Sequence, residues 1–157
     1  MKFIIFCVLF LASGLMSQEL QVKADKFNGD EKTGVSVFEG SVNIIKVNDE
    51  LNASKVTIFT DPQHQPTKFV AEGKASFVIH AEKGALYRGK AEKVVYFPDK
   101  KEYHFFKNVH LTQVDEKKEI LGDEVILKTI EGKAYAKGAS KEPVVMIFKM
   151  KDENQEK

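Results

Sequence analysis

Several groups of residues in this chain have types and spacings that could do chemistry. The segment GALYRGKA, Gly84 to Ala91, has the glycine and lysine spacing of a loop that cradles phosphates. Such a loop needs a Ser or Thr after its lysine to hold magnesium, and a helix beginning there. Here Ala91 follows Lys90, and a strand-like phrase runs on from Leu86, Tyr87 and Arg88. Nucleotide binding is therefore set aside. The four histidines, His64, His80, His104 and His110, stand at no recognised metal-ligand spacing from Cys or Glu. They read as isolated, half-buried or surface residues. No Gly-x-Ser-x-Gly elbow and no nucleophile–base set can be picked out. Glu39 and Glu72 head equivalent turns, so a repeat explains their likeness better than a catalytic carboxylate pair does. Asn52-Ala53-Ser54 fits a glycosylation sequon with Glu50 two residues before it. It reads as an unmodified strand residue, with modification of Asn52 left open. These residues imply no enzyme, no cofactor and no metal.

At 157 residues the chain fits one domain with room for a core. Its first residues read differently from the rest. Lys2 precedes FIIFCVLFLASGLM, 14 uncharged residues from Phe3 to Met16. A spanning helix needs roughly 20 apolar residues, so 1–17 reads as a secretory signal peptide cut close to Ser17–Gln18. A thin, uncleaved anchor is the competing reading. Cleavage removes Cys7, the only cysteine, so no disulfide forms. It also removes Lys2, leaving 23 basic against 23 acidic residues. A net charge near zero argues against capture of nucleic acid. The organisation expected is a signal at 1–17, one domain at 18–150 and a charged flexible tail at 151–157.

The organising feature is a repeat. One phrase recurs as ADKF from Ala24, ASKV from Ala53, AEKV from Ala91 and GDEV from Gly122, at spacings of 29, 38 and 31. A second phrase alternates with it, placing Gly40, Gly73, Lys107 and Gly138 at spacings of 33, 34 and 31. Both phrases have strand-like surroundings. Val42 and Ile44 alternate with Ser41 and Asn43, and Val109 and Leu111 with Asn108 and His110. A period of two sends one set to a core face.

Within the first phrase Ala53 and Val56 are three apart, as are Ala91 and Val94, and Gly122 and Val125. An odd separation puts two residues on opposite faces of a regular strand. A bulge or bend between them restores a common face, with a small residue giving room to turn. The expected fold is all-β and elongated, with many short strands stacking corners and no helix after the signal.

The phrases LQVKADKF, FEGSVNI, LNASKVTIF, VAEGKASF, GKAEKVVYF, NVHL and LGDEVI, in this order over residues 20–138, resemble the OstA-like family. The resemblance implies an open β-jelly-roll and a periplasmic, lipopolysaccharide-binding transport protein. Such a protein forms part of the bridge carrying lipopolysaccharide from the inner to the outer membrane. It implies contact with lipid A acyl chains, with LptC-like and LptD-like β-jelly-roll domains through edge strands, and a head-to-tail homo-oligomer. The inward apolar positions of the repeat become the acyl-chain trough: Val42, Ile44, Val56, Ile58, Ala75, Phe77, Ile79, Val94, Tyr96, Val109, Leu111, Val125 and Leu127. A closed core with no ligand would place the same residues inward. An LptC-type membrane-anchored component, or a β-rich binding module or enzyme of the envelope, are the alternatives in function.

Overall fold

The structure is a computed structural model and describes residues 19–151. The expected signal peptide and most of the expected tail lie outside the described residues. Ten strands follow one another: β1 (Leu20–Lys23), β2 (Lys26–Asp30), β3 (Val35–Lys46), β4 (Asp49–Thr60), β5 (Pro66–His80), β6 (Leu86–Phe97), β7 (Glu102–Gln113), β8 (Lys118–Lys128), β9 (Lys133–Lys137) and β10 (Val145–Phe148). They form one antiparallel sheet in the order β1-β3-β4-β5-β6-β7-β8-β10, with β2 also on β3 and β9 also on β8. No α-helix occurs among the described residues. One 3-10 turn, Glu82–Gly84, lies between β5 and β6.

Every long strand turns a corner at the same height. Register breaks between Glu39 and Val42 on β3, between Glu72 and Ala75 on β5, and between Phe106 and Val109 on β7. The sequence places a bend here. The extra residue, however, lies in the second phrase and not in the first. Two residues on β3, β5 and β7 oppose single residues on β4, β6 and β8: Ser54, Glu92 and Asp123. The doubled pairs are left-handed: Gly40 (φ 82) with Ser41 (φ 43), Gly73 (φ 84) with Lys74 (φ 45), and Lys107 (φ 63) with Asn108 (φ 49). Glycine adopts such φ values without the Cβ clash that other residues meet, which accounts for the glycine that starts two of the three pairs. At the C-terminal edge the two-residue bulge becomes an excursion, residues 138–144, between β9 and β10.

The corner divides the sheet into two facing walls. The first contains β1, residues 42–46, 49–53, 75–80, 86–91, 109–113 and 118–122, and β10. The second contains β2, residues 35–39, 55–60, 66–72, 93–97, 102–106 and 124–128, and β9. Rows of side chains run across the strands of each wall. Ile44, Leu51, Phe77, Gly89, Leu111 and Ile120 are neighbours in register along the first. Val56, Ala71, Val94, Phe105 and Val125 are neighbours along the second. Both rows face inward, and the interior they fill is the core. Outside, Lys26, Glu39, Lys55, Glu72 and Lys93 lie opposite one another in alternating sign, an arrangement that favours this register over a slipped one. Glu39 and Glu72 belong to that row, which explains their equivalence without catalysis.

Candidate functional site

Between the walls lies an apolar cavity of about 510 Å³, opening where the strands end. The first wall contributes Leu20, Ile44, Leu51, Phe77 and Ile79. The second contributes Val56, Phe69, Ala71, Val94, Tyr96 and Tyr103. Charged groups come only with the strand ends and the turns beside them: Lys46, Asp49, Glu50, Asp61 and Asp99. The sheet pleat produces this division. Inward positions near the corner are apolar, and the chain becomes polar as it approaches each turn.

Of the thirteen expected trough residues, six line this cavity: Ile44, Val56, Phe77, Ile79, Val94 and Tyr96. Val42 and Ala75 are buried at the corner and Ile58 beside it on β4. Val109, Leu111, Val125 and Leu127, on β7 and β8, are at most 2% exposed and do not line this cavity. The inward set is thus partly cavity wall and partly closed core. Leu20, Leu51, Phe69, Ala71 and Tyr103 also line the cavity and were not singled out from sequence. A cross-strand signal existed for two of them, since Leu51 pairs with Ile44 and Phe69 with Ile58.

Aromatic rings form the second wall's side of the cavity. Tyr96 and Tyr103 stack with centroids 4.3 Å apart, and Phe69 adjoins Tyr96 at 5.9 Å. Burial pushes the Tyr103 phenol well above its ordinary value, helped by Tyr96 and Asp49, and burial also raises Tyr96. Both therefore remain neutral donors at physiological pH. Lys46 holds its ammonium 5.9 Å from the centre of the Tyr96 ring. A second, polar recess of about 210 Å³ adjoins and shares Lys46, Asp49, Ile79, Tyr96 and Tyr103. On its border Lys101 Nζ, in the turn that joins β6 to β7 in the second wall, meets Glu82 Oε1, in the turn that joins β5 to β6 in the first, at 3.1 Å.

The residues that could have done chemistry are accounted for. Residues 86–91 of GALYRGKA are part of β6, with Tyr87 buried. His80 Nδ1 lies 3.2 Å from Asp49 Oδ1, His104 Nε2 is 2.8 Å from Glu102 Oε1, and His110 Nε2 is 2.8 Å from Glu119 Oε1. His64 sits in the turn held by Asp61. Among the described residues no group of three or more His, Cys, Asp or Glu could hold a metal ion. Asn52 lies within β4, flanked by β3 and β5, and its Oδ1 accepts from Asn43 Nδ2 at 2.9 Å. A sequon used for glycosylation ordinarily lies on a surface loop.

Comparison with known proteins agrees with this architecture. No curated protein matches the chain. Among solved structures, the chain is similar to LptH from Pseudomonas aeruginosa, described as the LptA-homologous periplasmic component of the conserved lipopolysaccharide transport device. The TM-score is 0.75 at 19% identity, over 85% of this chain and 96% of that one. At that identity the likeness speaks for the fold: an antiparallel roll left open between its walls. The model of the LptA/(LptD N-terminal domain) LPS transport protein family matches residues 21–133. The chain belongs to that family of lipopolysaccharide transport proteins.

Proposed function

We propose that this chain is a periplasmic lipopolysaccharide-binding transport protein, one segment of a bridge between the inner and outer membranes. The observation that supports it best is the 510 Å³ apolar cavity with polar groups only at its opening. Each methylene removed from water contributes about 0.8 kcal/mol, so an acyl chain of a dozen carbons gains on the order of 10 kcal/mol by entering. A bridge across an aqueous space must supply such a surface. Residues 1–17 act as the export signal, and 18–150 as the working domain.

The ends of the roll fit partners of the same fold. On β10, Val145, Met146, Ile147 and Phe148 are all exposed, as are Leu20 on β1 and Phe27 on β2. Free strand edges pair readily with other strands. LptC-like and LptD-like jelly-roll domains, and further copies of this chain stacked head to tail, complete these edges. The test is photo-crosslinking in cells from Ile44 and, separately, from Phe148. Lipopolysaccharide adducts at Ile44 and protein adducts at Phe148 support the reading. A purified periplasmic chain that captures neither removes it.

A further inference from the structure

The cavity ends part-way along the roll. Its lining comes from β1, from β3 to β6 and from the strand ends beside them, with Tyr103 as the single contribution of β7. In the middle row of the first wall, Leu51, Phe77, Gly89 and Leu111 are successive neighbours on β4, β5, β6 and β7. Leu51 lines the cavity, whereas Leu111 lines neither it nor the polar recess beside it. The boundary falls between them. There the Phe77 ring stacks on Phe105 of the opposite wall, centroids 4.4 Å apart at 26°. Gly89 leaves the space in which that ring rests, since a Cβ there would lie 2.9 Å from Phe77 Cζ.

We propose that the Phe77–Phe105 pair is a partition confining an acyl chain to the N-terminal half of the roll. Ligand then passes to the C-terminal half only when the Phe77 ring swings aside. Phe77 is the moving member. It lines the cavity and has open volume beside it, whereas Phe105 is fully buried and lines neither the cavity nor the recess. The partition also sets capacity. An apolar cavity of about 150 Å³ accepts a benzene ring, so 510 Å³ accommodates on the order of 20 carbon atoms. The closed form therefore takes one long acyl chain, and a lipid with several chains keeps the others outside the opening until the partition yields.

The inference rests on the lipid-binding reading, and the experiment separates the two. Photo-leucine, a diazirine isostere, is placed at Leu51 or at Leu111 in the exported protein. Each labelled protein is irradiated with lipopolysaccharide or with palmitate, and adducts are counted by mass spectrometry. Labelling at position 51 should exceed that at 111 by about tenfold or more, the ratio set by a gap of about 1.4 kcal/mol between closed and open. Phe77→Ala should raise labelling at 111 to near that at 51. Circular dichroism checks its fold, and Phe77→Leu, which keeps apolar bulk but loses the stack, takes its place if alanine unfolds the chain. Equal labelling at 51 and 111 in the unsubstituted protein overturns the partition alone. So does a folded Phe77 variant that leaves position 111 dark. No adduct at 51 with either lipid overturns the lipid reading and the partition with it.

Discussion

Lys101, in the turn between β6 and β7, and Glu82, in the turn between β5 and β6, meet across the open side of the roll, Nζ to Oε1 at 3.1 Å. Both side chains are 51% exposed, so the pair contributes only about 0–1 kcal/mol to stability. It borders the polar recess beside the cavity, so the effect expected of it is kinetic. Lys101→Ala should leave the urea midpoint nearly unchanged and speed release of a bound fluorescent fatty acid in stopped flow. Release at the unsubstituted rate would show that the tie does not guard the opening.

The corner makes opposite demands at equivalent positions. Gly73 has φ 84, and a Cβ there would lie 2.7 Å from Ser54 Cβ. Gly73→Ala should cost about 1–3 kcal/mol in urea unfolding. Lys107 occupies the matching place at φ 63. A left-handed non-glycine residue costs about 1–2 kcal/mol, and glycine's greater freedom when unfolded offsets about 0.5–1 kcal/mol of the relief. Lys107→Gly should therefore stabilise the chain slightly. A neutral Gly73→Ala would argue that the bulge relaxes freely.

Alkali should unfold the roll. Tyr103 is raised first by burial, then by Tyr96 and Asp49, and Tyr96 is raised by burial. The folded state therefore holds these protons more tightly than the unfolded state does. Their contribution is complete below the ordinary tyrosine value of about 10 and is lost as pH rises beyond it. The urea midpoint should fall above about pH 10, and Tyr103→Phe should flatten that fall. At neutral pH the same substitution should cost at most about 1 kcal/mol, the worth of the one hydrogen bond its hydroxyl shares with Tyr96. An unchanged slope in Tyr103→Phe would place the alkaline transition elsewhere.

Strand parity at β10 decides which proline tests assembly. Lys149 N–H donates to Lys117 O, and Ile147 pairs with Glu119 two residues along. In an antiparallel ladder that spacing turns the Ile147 N–H inward to β8 and those of Met146 and Phe148 outward. Met146→Pro should therefore weaken self-association, followed by sedentation velocity over a concentration series, with little change in thermal stability. Ile147→Pro should destabilise the edge itself. Association unaffected by Met146→Pro would put the contact on another edge.

Much of this was legible in sequence because the repeat and the pleat are local. The alternation around Val42–Ile44 and Val109–Leu111 identifies residues that are all buried. The three-residue step from Ala53 to Val56 marks the corner. The doubled residue is hidden in the sequence because Ser41, Lys74 and Asn108 do not resemble one another, and only their shared φ reveals the role. The division of the inward face into cavity and closed core was equally hidden. Val94 and Val125 hold equivalent places in the repeat, yet one lines the cavity and the other does not. That difference depends on what the opposite wall presents, which no single strand encodes. Phe77 and Phe105 are 28 residues apart, and nothing near either one announces the stack.

Because β3 to β8 all run through the corner, length and calibre of the roll are inherited separately. Each wall counts eight strand positions, which at about 4.8 Å per strand spans about 34 Å. Duplicating one period of the sequence would add two strands to both walls together and extend the reach by about 10 Å. The bore would not change, since it is fixed by how many residues separate corner from turn. Copy number of a phrase sets how far the molecule extends, and the distance between phrases sets what fits inside it.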